Sequence, residues 1–296
     1  MLLVRERELR TTRDGTKCVR LSLGDRTGAV TAIVRDDAAE RCEPGAVVRV
    51  AGRYEAGQLA LHAIGPAQSG EYDLEQLLDG PPRSPVQMEA DLRELVATVQ
   101  DPYLCALLER VLGPDAPTWP AYRDAPAAKR YHQAYRHGLL EHSLGVAQAV
   151  SAISATFPGI DRDVAITGAL LHDVGKLDAY TADGAAIEMT DLGKLQGEIA
   201  LGYYRIRRLI EEIPGFPAPL AAAVLHIILS HHGTLAHGSP VVPCTREATL
   251  VHMIDNLGGR LGSFDRLEKQ LPDGSAWSAY DRALGGGAYF AARQAA

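Results

Sequence analysis

The first 68 residues alternate short runs of apolar and polar positions, whereas the remainder of the chain changes to a helical period. Strand-like alternation occurs in residues 19–23, 29–34, 47–54 and 59–64, and turn-rich segments separate these runs. Segments of this length and spacing predict about five short strands. The expected arrangement is a small closed Greek-key barrel, which removes the exposed strand edges.

The order of strands and turns in this region resembles an OB-fold, with an Asp-x-Thr-Gly turn at residues 25–28. Such barrels commonly bind single-stranded nucleic acid through basic residues and aromatic stacking. Arginines are present here, but Tyr54 is the only aromatic residue before Tyr72. Tyr54 is therefore the candidate substrate-binding residue of the barrel. The alternative interpretation is a barrel that serves docking or packing, since a fold alone does not settle function.

A helical domain follows a predicted linker at residues 69–86, where Gly70, Gly80 and three prolines fall. One helical turn is expected near residues 74–78. The domain itself is predicted to span residues 87–296. Its later helices are predicted from Gly138 and at about 161–173, 192–213, 217–231 and 245–268. The glycine-rich C-terminus is expected to be loosely packed.

Composition limits the class of protein but does not identify a binding partner. The chain has 296 residues, 46% of them hydrophobic, and a net charge of −7, which gives no general case for nucleic-acid binding. No apolar run approaches the length of a membrane span, and the N-terminus lacks the apolar core of a signal peptide. The four cysteines are scattered, which predicts reduced thiols in a cytoplasmic protein.

Nine of the ten histidines lie between His132 and His252, and this clustering is the clearest sign of a site. The segment Leu170-Leu171-His172-Asp173-Val174-Gly175-Lys176 ends an apolar helix, with Gly175 as the expected C-cap. A buried histidine beside an aspartate is costly unless something pairs with them, and a divalent metal is a natural partner. The alternative is a helix end whose polar residues meet solvent.

Potential metal ligands recur on successive predicted helices, and in a helical bundle such side chains can converge on one interior site. A lone histidine on such a face is more often a core residue, so the recurrence carries the prediction. The sequence positions are His142, His172-Asp173, His231-His232 and Asp255.

The order His142…His172-Asp173…Asp255 resembles the HD phosphohydrolase superfamily. The surrounding segments at residues 138–144, 170–176, 228–233 and 252–257 are similar to the YhaM-type 3′→5′ exoribonucleases, which also join an OB-fold to an HD domain. The resemblance implies a multidomain fold, with a small all-β OB-fold barrel (residues 1–68) for single-stranded nucleic acid followed by an all-α HD-domain bundle (residues 87–296).

The resemblance also implies a ligand set. One metal would take His142, His172, Asp173 and Asp255, and a second ion would be bridged by Asp173 and held by His231 or His232. Family members carry a histidine in a Gly-His-Ile segment where this chain reads Gly197-Glu198-Ile199. Glu198 is thus a candidate oxygen ligand, with a plain surface glutamate as the alternative. The expected cofactor is one or two divalent ions, Mn²⁺ first, with Mg²⁺, Fe²⁺, Co²⁺ and Ni²⁺ as further candidates.

Catalytic roles are expected for Asp173, which would orient a metal-activated hydroxide, and for Lys176, which would neutralise phosphate charge. Lys176 could equally be a solvated lysine at a helix end. Three residues that precede the first ligand helix are candidate substrate contacts, with surface placement as the alternative: His132, Arg136 and His137.

Three functions remain open at this point. The first is a metal-dependent phosphodiesterase that removes nucleotides from the 3′ end of single-stranded RNA, with single-stranded DNA as a further candidate substrate. The second is a phosphatase or phosphodiesterase of free or cyclic nucleotides, with the barrel as an assembly element. The third is a non-catalytic nucleic-acid-binding protein with a vestigial metal site. No membrane partner is expected, and an oligomeric state is left open.

Overall fold

The structure is a computed structural model, and it describes residues 1–11, 17–26, 28–34, 42–55, 58–78, 80–129, 133–181, 187–269, 271 and 274–291. The predicted substrate contact His132 lies outside these residues. The chain divides into two compact units, the first formed mainly by Met1–Gly80 and the second by Pro81–Thr181 together with Glu188–Ala296. Among the described residues, no helix is both long and apolar enough to span a membrane.

The first unit is a closed five-stranded barrel, which confirms the predicted fold class for this region. The strands close in the order β1-β2-β3-β5-β4, with β3 and β5 parallel and the other neighbours antiparallel. Inward-facing apolar residues such as Val4, Leu21 and Ala32 fill the interior. The strands are β1 (Leu2–Thr11), β2 (Lys17–Asp25), β3 (Gly28–Val34), β4 (Val47–Glu55) and β5 (Gln58–Pro66), and the short helix α1 (Leu74–Leu77) follows them.

The second unit is helical, as predicted, apart from a two-stranded hairpin. Its early helices are α2 (Pro85–Val96), α3 (Pro102–Leu112) and α4 (Trp119–Asp124). The central helices are α5 (Gly138–Ser154), α6 (Arg162–Leu171) and α7 (Lys176–Ala179), after which β6 (Tyr180–Thr181) pairs with β7 (Glu188–Met189). The late helices are α8 (Asp191–Gln196), α9 (Glu198–Glu211), α10 (Ala218–Ser230) and α11 (Arg246–Lys269).

Helix α6 lies at the centre of this unit, and its described residues from Val164 to Leu171 are all buried. It packs against α5, α10 and α11. Gly168 permits a close approach of α10, because a Cβ there would lie 2.3 Å from Cδ1 of Ile227. A helix buried on all sides ends inside the unit, so the polar residues that follow it are also enclosed.

Two helix predictions are wrong in detail, and glycines explain both. The predicted helix at 192–213 is broken into α8 and α9 by Gly197, whose φ of +77° lies in the left-handed region that favours glycine. Gly175 is not a C-cap, since its φ is −68° and it precedes α7. It is required for space: a Cβ at Gly175 would lie 1.9 Å from the carbonyl oxygen of Glu198.

Two further segments are more ordered than the sequence suggested. Trp119 and Tyr122 lie on the short helix α4, between Pro117 and Pro126, and both are buried. Near the C-terminus, Trp277 and Tyr289 form an antiparallel bridge, and Ala288 is buried. The expectation of a loosely packed tail is therefore wrong for residues 276–290, which form a hairpin.

Candidate metal centre

Three elements of the helical unit bring one group of metal-binding side chains together. His142 lies in the second turn of α5, His172 and Asp173 follow the last turn of α6, and Asp255 lies within α11. His142 Nε2 is 3.1 Å from His172 Nε2, 3.3 Å from Asp173 Oδ2 and 3.1 Å from Asp255 Oδ1. The four ligand atoms thus face one point, although their residues are up to 113 positions apart in sequence (255 − 142).

A second group adjoins the first through the other oxygen of Asp173. His231, which follows α10, places its Nε2 3.5 Å from Asp173 Oδ1. His232 Nε2 lies 3.4 Å from Glu198 Oε1, at the start of α9. The ligand atoms of Glu198, His231 and His232 all lie within 4.8 Å of one another. Asp173 therefore lies between two groups of potential ligands.

The histidines of both groups are oriented through their Nδ1 atoms. His172 Nδ1 is 2.7 Å from the carbonyl oxygen of Ala169, and His231 Nδ1 is 2.8 Å from that of Ile228. A carbonyl oxygen can only accept, so each Nδ1 must donate its hydrogen, and in the neutral imidazole the lone pair is then on Nε2. This tautomer is the one that metal-binding histidines adopt when Nε2 is the ligand.

The remaining two histidines follow the same rule with different acceptors. His232 Nδ1 lies 3.0 Å from the carbonyl oxygen of His237. His142 Nδ1 lies 3.1 Å from Oε1 of the Gln133 side chain. The Nε2 atoms of His142, His172, His231 and His232 therefore all point into the centre, and in the neutral imidazoles they carry the lone pairs that a metal ion binds.

Buried charges of opposite sign control the ionisation of the centre. Burial disfavours the charged form of His172, but the carboxylates of Asp173 and Asp255 outweigh burial and raise the pKa of its imidazole to about 9. Burial would raise the pKa of Asp173, but the charges of Lys176 and His172 hold it well below its usual range. Asp255 also has a lowered pKa, because its hydrogen bond with His142 outweighs burial. The carboxylates are therefore available as anionic ligands.

Lys176 is part of this charge network rather than a solvated lysine. Its Nζ donates to Asp173 Oδ2 at 2.6 Å, and its side chain is 12% exposed. Burial opposes its charge, but the nearby carboxylates of Asp173 and Glu198 outweigh burial and raise the pKa of the amine. One buried ammonium group accompanies three carboxylates here. This excess of carboxylates favours the binding of cations.

The donor set fits divalent metal ions. Two buried atoms that face each other, Asp173 Oδ1 and His231 Nε2, have no hydrogen-bond partner among the described residues. Buried polar atoms are rarely left without a partner, and a cation between them would satisfy both. Four imidazole nitrogens and three carboxylates form a mixed nitrogen and oxygen set, which suits first-row divalent metals.

Two of the predicted substrate contacts, Arg136 and His137, are not among the ligands of this centre. Arg136 donates to Asp124 Oδ2 at 2.9 Å, and His137 Nδ1 lies 2.8 Å from the carbonyl oxygen of Arg123. Both residues thus hold the segment before α5 against α4. Tyr54 lies in the barrel, on β4, and is 67% exposed.

Sequence reasoning missed Tyr122 and Gln133 as residues that position the ligands, whereas His252 was expected to lie beside the ligands or in the core. The Tyr122 hydroxyl donates to the carbonyl oxygen of Leu170 at 2.7 Å, at the end of α6 just before His172. The Nδ1 of His252 lies 2.7 Å from the carbonyl oxygen of His231. Gln133 was not predicted because its contact with His142 depends on a left-handed backbone, with φ of +59°. No periodic pattern in the sequence signals such a conformation.

The helical region and its centre define the class of this protein. The family model described as "HD domain" matches residues 139–259, which contain every ligand of both groups. The chain carries an HD domain and is a metal-dependent phosphohydrolase. An HD domain implies divalent-metal binding, and the two ligand groups are the candidates for it.

Relatives extend the similarity beyond the HD domain. The 3′-5′ exoribonuclease YhaM of Geobacillus sp. (strain WCH70) is 29% identical over 268 residues, covering 88% of this chain and 81% of the relative. The YhaM of Bacillus licheniformis is 27% identical over 281 residues, covering 92% and 88%. The YhaM of Bacillus subtilis (strain 168) is 33% identical over 152 residues, covering 51% and 48%. No solved structure matches the chain. The predicted resemblance is thereby confirmed.

Proposed function

We propose that this protein is a metal-dependent exonuclease that releases nucleotides from the 3′ end of single-stranded RNA. The position of Asp173 between two groups of histidine and carboxylate ligands carries the proposal. The names of the relatives favour RNA as the substrate, and the similarity covers both the barrel and the helical domain. The free cysteines are those expected of a cytoplasmic protein.

The chain offers ligands for two ions. His142, His172, Asp255 and one oxygen of Asp173 would hold the first ion. Asp173 through its other oxygen, His231, His232 and Glu198 would hold the second. Such ions, when bound, supply an activated water and stabilise the charge on the phosphoryl oxygens. The oxygen ligand Glu198 favours Mn²⁺ or Mg²⁺, and the four imidazoles also admit Fe²⁺, Co²⁺ and Ni²⁺.

Buried charged side chains of the chain itself favour hydrolysis. The burial of Asp173 and His172 lowers the local dielectric constant and so strengthens the charge interactions between them. Lys176 fixes the Asp173 carboxylate by its short hydrogen bond. Its ammonium group also adds positive charge where the phosphodiester becomes more negative.

The decisive experiment sizes the products of a 5′-labelled, 3′-tailed RNA digested by the metal-loaded protein. The proposal expects shortening from the 3′ end with release of mononucleotides, and no shortening of a 3′-blocked RNA. Asp173→Ala should abolish turnover while the protein still folds, as judged by circular dichroism. If no oligomer releases nucleotides, or Asp173→Ala remains active, the assignment fails.

A hydrolase of free or cyclic nucleotides is the second candidate. It is favoured by the low aromatic content of the barrel, in which Tyr54 is the only exposed aromatic residue that the structure describes. Cyclic mononucleotides and single-stranded DNA of equal length, assayed beside the RNA, separate these substrates. Hydrolysis of the mononucleotides without any shortening of the oligomers would favour the second candidate.

A further inference from the structure

Three aromatic side chains outside the metal centre are exposed near the end of the helical unit. Trp277 is 61% exposed, Tyr280 is 73% exposed and Tyr289 is 58% exposed. Isolated apolar residues at a surface need no explanation, but several large ones within 13 positions indicate a contact surface. Neither the metal ligands nor the groups that orient them include any of these residues.

The hairpin of residues 276–290, here called the aromatic hairpin, holds two of these rings in a defined arrangement. Trp277 and Tyr289 form an antiparallel bridge, and the N–H of Ser278 donates to the carbonyl oxygen of Ala288 at 2.9 Å. Directly opposed residues of such a pair share one face. Their ring centroids are 5.0 Å apart, at an interplanar angle of 53°. The two rings therefore form one continuous aromatic surface.

The aromatic hairpin is fixed to helix α11, which also carries Asp255. The rings of Phe290 and Phe264 pack with centroids 6.2 Å apart, and Arg266 donates to the carboxylate of Asp281. Phe264 follows Asp255 by nine residues, which corresponds to about 14 Å along a helix axis. The aromatic surface is thus held at a set position relative to the metal centre, but it is anchored away from the reacting bond.

The chemistry of this surface suits nucleobases. Every base has a flat face that can stack on an aromatic ring, so binding by stacking is tolerant of sequence. Arg282 in the same hairpin is exposed and makes no ion pair with any described residue, so it is available to a phosphate. The only acid of the hairpin, Asp281, is already paired with Arg266. A protein partner with an aliphatic contact surface would not require aromatic side chains at these positions.

We propose that the aromatic hairpin is a stacking site for single-stranded nucleic acid, which binds nucleotides several positions away from the cleaved 3′ end. The identity of the strand rests on the proposed exonuclease function. Since the barrel contributes little aromatic surface, this site supplies the stacking that the sequence of the barrel lacks. It would increase affinity for long substrates and leave the hydrolysis of short ones unchanged.

The test compares Trp277→Ala with the conservative variant Trp277→Phe in the metal-loaded full chain. The control is Phe157→Ala, which removes an aromatic ring that is 59% exposed in another part of the same unit. Binding is measured with a 12-nucleotide phosphorothioate RNA, which resists hydrolysis, and turnover with bis(p-nitrophenyl) phosphate. The chain has two tryptophans, and Trp119 is buried, so quenching of the exposed Trp277 reports on stacking directly.

Trp277→Ala should weaken binding of the 12-mer about 5- to 140-fold, since a base–aromatic stack contributes about 1–3 kcal/mol. Trp277→Phe should keep most of the affinity, and no variant should change bis(p-nitrophenyl) phosphate turnover. Unchanged 12-mer affinity in Trp277→Ala, or no quenching in the wild type, would overturn the site. A shift from dimer to monomer in Trp277→Ala, with unchanged RNA binding, would instead identify a subunit interface. Failure of every variant to hydrolyse RNA would refute the proposed function, but the binding comparison would still decide the stacking site.

Discussion

Replacing Gln133 with methionine should weaken metal binding without unfolding the protein. The Gln133 side chain is the acceptor for His142 Nδ1 at 3.1 Å, whereas the three other histidines of the centre use backbone carbonyl oxygens. It is therefore the one orienting acceptor of the four histidines that a substitution can remove. Methionine has a similar length and volume, so Gln133→Met removes the hydrogen bond and leaves the packing largely intact.

The magnitude follows from what His142 loses. Its side chain is 7% exposed, so water cannot easily replace the lost acceptor. Removing the partner of a buried donor costs about 1–3 kcal/mol. Loss of the group that orients a metal-binding histidine typically costs 10- to 100-fold in metal affinity, or about 1.4–2.8 kcal/mol. The two estimates agree, so we expect the Kd for Mn²⁺ to rise about 10- to 100-fold.

The assay is competition for Mn²⁺ with a chelator of known affinity, followed by fluorescence. Gln133→Glu is the matched variant, because a carboxylate in the same place accepts the same bond and makes His142 more basic. It should bind Mn²⁺ at least as tightly as the wild type. If Gln133→Met binds Mn²⁺ with the wild-type Kd, or Gln133→Glu is as weak as Gln133→Met, then Gln133 does not orient His142.

Three further outcomes test the surroundings of the centre. Tyr122→Phe should lower the free energy of unfolding by about 1–3 kcal/mol, because the buried carbonyl of Leu170 loses its donor. Thermal melting measures this loss of stability, and an unchanged Tm would contradict the prediction. Gly175→Ala should cost about 1–3 kcal/mol or more and reduce turnover, because its Cβ would meet the Glu198 carbonyl. In the control Gly145→Ala, where a Cβ meets nothing within 4 Å, stability should not fall. Removing metal with a chelator should lower the Tm, because metal at 100 times its Kd adds about 2.7 kcal/mol to the free energy of unfolding. The decrease should grow with the prior metal concentration, and Asp173→Ala should show no such dependence.

The sequence predicted the elements well where a single periodicity dominated. The barrel strands follow from alternation, and α10 and α11 were predicted to within one residue at each end. Strand β1 was harder to place, because its residues after Leu3 and Val4 are mostly charged and exposed. Its extended conformation is stabilised by pairing with β2, which the composition of β1 does not indicate. A local sequence pattern predicts a helix or strand only where the residues of one face are buried at regular intervals.

The breaks between elements could not be predicted in the same way. The helical period runs through Gly197 without interruption, and nothing local distinguishes this glycine from one inside a helix. The break places Glu198 at the first position of α9, where its carboxylate faces His232. Likewise, the need for glycine at position 175 arises from α9, a neighbour in space, and not from the end of α6. Both positions depend on tertiary contacts.

The sequence predicted which types of residue serve as ligands, but it did not predict how their atoms are arranged in space. Buried histidines and aspartates on separate apolar helices are costly unless they meet, so their recurrence predicts a shared site. Which atoms meet depends on the ends of helices. Because α6 ends inside the unit, the two oxygens of Asp173 are directed to different neighbours, Oδ2 to His142 and Lys176, and Oδ1 to His231.

The position of Asp173 has a consequence for the whole centre. One carboxylate that contacts both groups couples them, since any shift of the end of α6 changes the position of Asp173 relative to both. The groups that fix the end of α6 therefore act on both at once: Tyr122 donates to the carbonyl oxygen of Leu170, and Gly175 allows the turn after Asp173 to pack on α9. A substitution at either residue should impair metal binding in both groups, whereas loss of Gln133 should act through His142 alone.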